Sequence, residues 1–245
     1  MLRFIGDALF TIIFLILSIP VIAIEGLIRL VAPKASAKSS QAIVTRAFRI
    51  VAWIAGVKLT VKGLENIPKD TAVLYVPNHR SIFDIIITYY IMPGQTGYVA
   101  KKETGRFPVF NLWMALMNCQ FLDRKDLRKG LKVILRCCEL IKEGTSITIF
   151  PEGTRNKGSE DIQPFHDGSF KIAEKTGCPI VPIAINNTDQ IFEAQFPKIK
   201  SRKVVIEFCQ PIKTEGLSRA EFKEVSNKVK AEILEAYRRN KELVK

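Results

Sequence analysis

Residues 71–84 read TAVLYVPNHRSIFD, an apolar run closed by proline, then a short polar loop, then the opening of a second apolar run. Thr71–Val76 is rich in β-branched and aromatic residues and predicts a buried strand. Ser81 is a good helix N-cap. With Asp84 three residues later it makes a capping box, so a helix is expected to begin here and run through Tyr90. A strand feeding a helix through a tight loop is half of a β-α-β unit. The rest of the chain repeats the alternation.

Working outward, strands are expected at Lys58–Lys62, Gly97–Ala100, Cys119–Leu122, Thr145–Phe150, Pro179–Ile185 and Lys203–Cys209. Helices are expected at Val109–Met117, Leu127–Lys142 and Ser169–Thr176, with a final amphipathic helix at Ser218–Leu243. This predicts an α/β fold, a mostly parallel central sheet flanked by helices. No internal repeat or linker divides residues 57–245, which read as one domain.

Residues 1–56 differ. Positions 8–24, ALFTIIFLILSIPVIAI, are interrupted only by Thr11, Ser18 and Pro20. Seventeen helical residues reach roughly 26 Å against a hydrocarbon core of about 30 Å, so the segment is marginal as a span. It suits equally one arm of a hairpin that enters a single leaflet. A cleaved signal peptide is disfavoured, because Ala35-Ser36-Ala37 lies about a dozen residues beyond the apolar run. Pro33–Ser40 reads as a turn. Residues 41–56 then form a helix with an apolar face, Arg46, Arg49 and Trp53, a composition suited to a membrane interface or to a protein core. Residues 1–56 are thus expected to form a two-helix membrane anchor.

The totals agree. The 245 residues carry 37 Lys and Arg against 24 Asp and Glu, a net charge of +13. The pI is about 9.6, yet mean hydropathy is +0.11. A chain both basic and apolar suits a lipid surface better than nucleic acid, for which no stacking or zinc motif is present. Five cysteines without CxxC spacing and two histidines argue for reduced thiols and against a zinc site.

Two loops stand out for chemistry. In Asn78-His79-Arg80-Ser81-Ile82-Phe83-Asp84, the histidine follows a strand end, where ligand sites of α/β sheets gather. Five helical residues would place His79 and Asp84 on different faces, but a loop-to-helix turn can return the carboxylate to the imidazole. Asp84 is either a helix cap or the partner of a general base. In Phe150-Pro151-Glu152-Gly153-Thr154-Arg155, glycine permits close backbone approach and Arg155 offers a planar fork for phosphate. Lys101-Lys102-Glu103, Asp123-Arg124 and Pro164–Lys171 are weaker. Basic residues from Lys125 to Arg136 read as a solvated or membrane-facing helix surface.

As an ordered set, HxxxxD at 79–84 and FPEGTR at 150–155 resemble the glycerolipid acyltransferase family, most closely its bacterial 1-acylglycerol-3-phosphate branch. Lys101–Glu103, Asp123-Arg124, PFxxGSFxxA at 164–173 and IVPIAI at 180–185 extend the likeness to roughly residues 50–215. The resemblance implies acyl transfer from acyl-CoA or acyl-carrier protein to lysophosphatidic acid, giving phosphatidic acid. It makes His79 the base and Asp84 its partner. It places Glu152, Gly153, Thr154, Arg155 and Lys101 at the acceptor and its phosphate, with Asn78, Arg80, Ser81 and Arg124 as motif support. No metal or bound cofactor is implied. Backbone N–H groups near Gly153 or Ser81 are the oxyanion donors to test. Glycerol 3-phosphate or another lysophospholipid is the alternative acceptor, and a noncatalytic binder of anionic lipid the alternative class. The cytoplasmic face of the cell membrane is the expected location. His166 departs from the basic residue expected in relatives.

Overall fold

The computed structural model describes every residue except Arg124, Ser159, Glu160 and Lys245. Seven strands form one sheet: β1 (Lys58–Lys62), β2 (Leu74–Pro77), β3 (Thr96–Lys101), β4 (Gln120–Leu122), β5 (Ser146–Thr148), β6 (Ile180–Asn186) and β7 (Lys203–Phe208). Their order is β1-β7-β6-β2-β5-β3-β4. All pairings are parallel except β6 with β7.

Strand alternation sorts the core into two layers. Val73, Tyr75, Val181, Ile183 and Ile185 point to one face, where they meet Phe83, Ile87, Trp113 and Val44. Leu74, Val76, Ile180 and Ala184 point to the other and meet Cys137, Leu140, Ile172, Val229 and Ile233. Both faces are covered, as parallel strands require. The first layer is built by α1 (Leu2–Val31), α2 (Pro33–Ala55), α3 (Ile82–Ile91) and α4 (Pro108–Leu116). The second is built by α5 (Leu127–Lys142), α6 (Lys171–Thr176) and α8 (Val225–Asn240), with the short α7 (Arg219–Lys223) before α8.

The N-terminal segment departs from expectation at its turn. The turn expected over Pro33–Ser40 is confined to Ala32. Pro33 occupies the first helical position, where its missing N–H costs nothing, and α2 runs on to Ala55. Both helices pack on the first core layer of the α/β body. Phe4 stacks on Phe192, Phe14 stacks on Trp113, and the Trp113 indole donates to Ser18 Oγ at 3.0 Å. Arg29 donates to Leu116 O and to Asn118 Oδ1. These contacts fall near the beginning, middle and end of α1. The helix therefore lies along the α/β body over its whole length. Its outer face remains apolar and open: Leu9, Ile13, Leu17, Leu27 and Leu30 are all exposed. The hairpin closes against the body at Gly56, whose positive φ ends α2 and whose missing Cβ leaves room for the Arg3 guanidinium.

The expected final helix is broken at Glu224 into α7 and α8, followed by a 3₁₀ turn at Lys241–Val244. Because β2, β5, β3, β4 and β6 run in one direction, their C-terminal ends share one edge of the sheet. The loops bearing His79, Phe150–Arg155, Lys101 and Thr188 emerge there.

Candidate active site

The loop from β2 to α3 is shaped by Asp84. Its Oδ2 accepts the N–H groups of Arg80 at 2.6 Å and Ser81 at 2.8 Å, completing the capping box, and lies 2.8 Å from His79 Nδ1. Its Oδ1 accepts the Thr188 hydroxyl. Cap and histidine partner are thus one and the same group. The helix geometry objection disappears because His79 precedes the helix, on a loop that folds back over the first turn. Asp84 is fully buried. With both its oxygens accepting, the imidazole must donate from Nδ1, which leaves the Nε2 lone pair outward. No hydrogen bond engages Nε2 among the described residues, and the ring keeps 13% of its side-chain exposure.

Asn78 anchors the start of this loop. Its side chain donates to Ile185 O and accepts from Ile185 N–H, so a buried amide continues the β2–β6 ladder beyond the last backbone pair. The imidazole is held on its flat side by Phe150, whose ring stacks on it with centroids 4.0 Å apart.

Glu152 joins the two motif loops. Its Oε1 accepts the His79 N–H at 2.6 Å, and its Oε2 accepts the Gln163 N–H at 2.9 Å. Burial pushes its carboxyl above the usual glutamate value, an effect opposed by those two N–H groups. The Glu152 side chain therefore faces main chain rather than open solvent. Gly153 follows with φ 71°, a left-handed turn that suits glycine. Thr154 and Arg155 beyond it are exposed. Arg155 pairs with Glu193 at 3.1 Å, and Glu193 also accepts the Ser81 hydroxyl at 2.7 Å and the Ile82 N–H at 2.8 Å.

The backbone donors expected for an oxyanion are already engaged. Gly153 N–H donates to Phe150 O, Ser81 N–H to Asp84, and Ile82 N–H to Glu193. Lys101 ends β3, exposed and 3.7 Å from Glu103, and is not brought against His79 or Arg155 by any hydrogen bond. Its neighbour Lys102 pairs instead with Asp123 at 2.9 Å. Arg124 lies outside the described residues. All five cysteines are buried and unpaired, and burial raises the Cys119 thiol to about 11 and those of Cys137 and Cys209 to about 12. Such thiols are poor nucleophiles at neutral pH.

Comparison with known proteins bears on what this geometry serves. Residues 58–186 match the Acyltransferase family model, more than half of the chain and both loops included. The chain belongs to the acyltransferase family. It is 34% identical over 185 residues to the 1-acyl-sn-glycerol-3-phosphate acyltransferase of Helicobacter pylori, covering 73% of the chain and 76% of that protein. It is 38% identical over 144 residues to the enzyme of the same name from Borreliella burgdorferi, covering 59% of the chain. The chain spans 57% of the length of the Borreliella protein and 39% of a chloroplast relative from Brassica napus. Its fold resembles the crystal structure of a 1-acyl-sn-glycerophosphate acyltransferase from Thermotoga maritima, with a TM-score of 0.77 at 24% identity over 98% of this chain and 95% of the other.

Three residues of this site escaped the sequence reading as individual contacts: Phe150, Thr188 and Glu193. Thr188 follows the last residues of β6, so its place at the same sheet edge as His79 was the available signal. Glu193 opens a short 3₁₀ turn, Glu193–Gln195, with no pattern in the sequence pointing to α3.

Proposed function

We propose that this chain transfers a fatty acyl group from a thioester to the free hydroxyl of 1-acylglycerol 3-phosphate, forming phosphatidic acid. The observation that carries the reading is His79: its Nδ1 is tied to a buried carboxylate and its Nε2 is uncommitted, at the edge where the parallel strands end. A hydroxyl is too weak an acid to attack unaided at neutral pH. Nε2 takes its proton as the oxygen bonds to the thioester carbonyl carbon, and Asp84 stabilises the imidazolium that forms. As the C–S bond breaks, the departing sulfur receives that proton and the ester is complete. The acceptor attacks directly, consistent with five buried, high-pKa thiols.

Arg155 and Lys101 hold the acceptor phosphate, and Glu152 acts at one remove by fixing the His79 loop to the Arg155 loop. Arg155 offers the planar fork suited to a phosphate, and it is exposed. The donor is acyl-CoA or acyl-carrier protein; no metal or bound cofactor takes part.

The acceptor and product are lipids, and the open face of α1 suits them. Among the described residues one helix, Leu2–Val31, is long and apolar enough to cross a membrane by length and composition. Its contacts with the body from Phe4 to Arg29 favour a hairpin lying within the cytoplasmic leaflet instead of a span. On α5, Leu127, Leu131 and Leu135 form an exposed stripe at four-residue spacing beside Arg128, Lys129 and Lys132, a second surface suited to anionic lipid.

The test is acyl transfer in detergent micelles with 1-acylglycerol 3-phosphate or glycerol 3-phosphate as acceptor. The acyl-bearing acceptor is expected to react faster, and His79→Ala to lower turnover by roughly 10²–10⁴. Equal turnover in the variant removes His79 from the mechanism; preference for glycerol 3-phosphate reassigns the acceptor.

A further inference from the structure

Both substrates of the proposed reaction carry phosphate, because the pantetheine arm shared by coenzyme A and acyl-carrier protein ends in a 4′-phosphate, esterified to protein in the carrier and part of a diphosphate in coenzyme A. Two anionic substrates meeting at one histidine need two phosphate sites. The assignment of Arg155 and Lys101 to the acceptor supplies one of them. The second inference rests on that reading of the function.

A cleft of about 450 Å³ opens on the β6 side of the His79 loop. Its walls include Arg80, Asn186, Asp189, Arg202, Tyr237 and Lys241. It adjoins the reactive pair along the chain: Arg80 follows His79, and Asp189 follows Thr188, whose hydroxyl donates to Asp84. Lys101 leaves the sheet on the other side of β2, beyond β5.

Three of these groups are cationic and one is anionic. Arg80 lies 3.8 Å from Asp189, and Lys241 pairs with Asp161 at 2.6 Å. Arg202 meets no carboxylate among the described residues; its Nε donates only to Gln190 O. The Tyr237 hydroxyl has no hydrogen-bond partner among them either. Asn186 is buried, its amide donates to Tyr237 O, and its Oδ1 accepts nothing. The wall thus combines a hydroxyl donor and a guanidinium that pairs with no carboxylate, with a buried amide oxygen behind them. A phosphate suits the first two.

We propose that this cleft binds the phosphopantetheine phosphate of the acyl donor, with Arg202 as its principal cation. The arm between phosphate and sulfur is long and flexible, so the phosphate sits in the cleft while the thioester reaches His79. The same subsite serves both carriers, since the 4′-phosphate of the pantetheine arm is common to them.

The experiment compares wild type, Arg202→Gln and Arg202→Lys of the full chain in micelles, with Arg219→Gln as an exposed charge control away from the cleft. The donors are oleoyl-CoA and oleoyl-pantetheine, which lacks the phosphate. Arg202→Gln is expected to raise KM for oleoyl-CoA about tenfold or more, the scale of a lost charge-assisted hydrogen bond. KM for the acceptor and kcat stay unchanged, Arg202→Lys recovers part of the loss, and oleoyl-pantetheine shows no difference between variants. An unchanged KM for oleoyl-CoA overturns the proposal. So does an equal rise with both donors, or a rise confined to the acceptor. If wild type turns over neither acceptor, the reading of the function fails while the cleft is still tested by calorimetric binding of coenzyme A and pantetheine. Weaker binding of coenzyme A alone in Arg202→Gln supports it, and equal binding overturns it.

Discussion

Replacing Asp84 by Asn separates the structural from the electrostatic part of its role. The amide oxygen can take the place of Oδ2 and keep the bonds from His79 Nδ1, Arg80 N–H and Ser81 N–H. Its NH2 then faces Thr188, whose hydroxyl can turn from donor to acceptor. The cap survives with three weaker bonds, and stability falls by about 1–2 kcal/mol. The charge does not survive. At 2.8 Å, a carboxylate and an imidazolium attract by about 6 kcal/mol at an effective dielectric of about 20. A neutral amide retains the dipolar share, so about half of that is lost when the imidazolium forms. About 3 kcal/mol corresponds to a fall in kcat of roughly 10²-fold, with KM for both substrates little changed. Continuous release of thiol from acyl-CoA gives the rates, and thermal unfolding in the same detergent gives the stability. Asp84→Ala, which also orphans the capped N–H groups, is expected to lose both. A kcat for Asp84→Asn within threefold of wild type would show that Asp84 caps the helix and nothing more.

Glu152 makes stability pH-dependent in a defined direction. Its carboxyl is raised in the folded chain, so the folded state holds the proton more tightly than the unfolded one. The stabilisation from that proton is complete below the ordinary glutamate value and is lost as pH rises through the raised one. Across that window, unfolding measured by denaturant should show wild type losing stability relative to Glu152→Gln; parallel curves would refute the assignment. Asn78→Leu leaves the Ile185 N–H and C=O without their side-chain partners in the core. It should cost about 2–4 kcal/mol, read as a lowered denaturation midpoint. Ile13→Glu with Leu17→Glu places two charges on the open face of α1, where these side chains are 46% and 68% exposed. Flotation with anionic liposomes should fall while the melting temperature holds; unchanged flotation would remove this face from the membrane contact.

Much of the molecule was legible from local pattern. Alternating apolar runs and caps foretold the seven strands and the start of α3, because burial on both faces and backbone capping act over neighbouring residues. The two motif loops followed from strand ends and from Gly153, whose positive φ is a local demand. The His79–Asp84 pair was visible as two possibilities, and folding merged them, since one carboxylate oxygen caps the helix and meets the imidazole. What pattern could not convey was contact between distant segments. The packing of α1 along Trp113 and Phe192, the burial of Glu152 against the His79 N–H, and the approach of Glu193 to Ser81 and Arg155 all join residues dozens of positions apart. Periodicity marks which face of an element is apolar but not which partner will cover it. That choice was made when the strands took the order β1-β7-β6-β2-β5-β3-β4 and carried their loops to one edge.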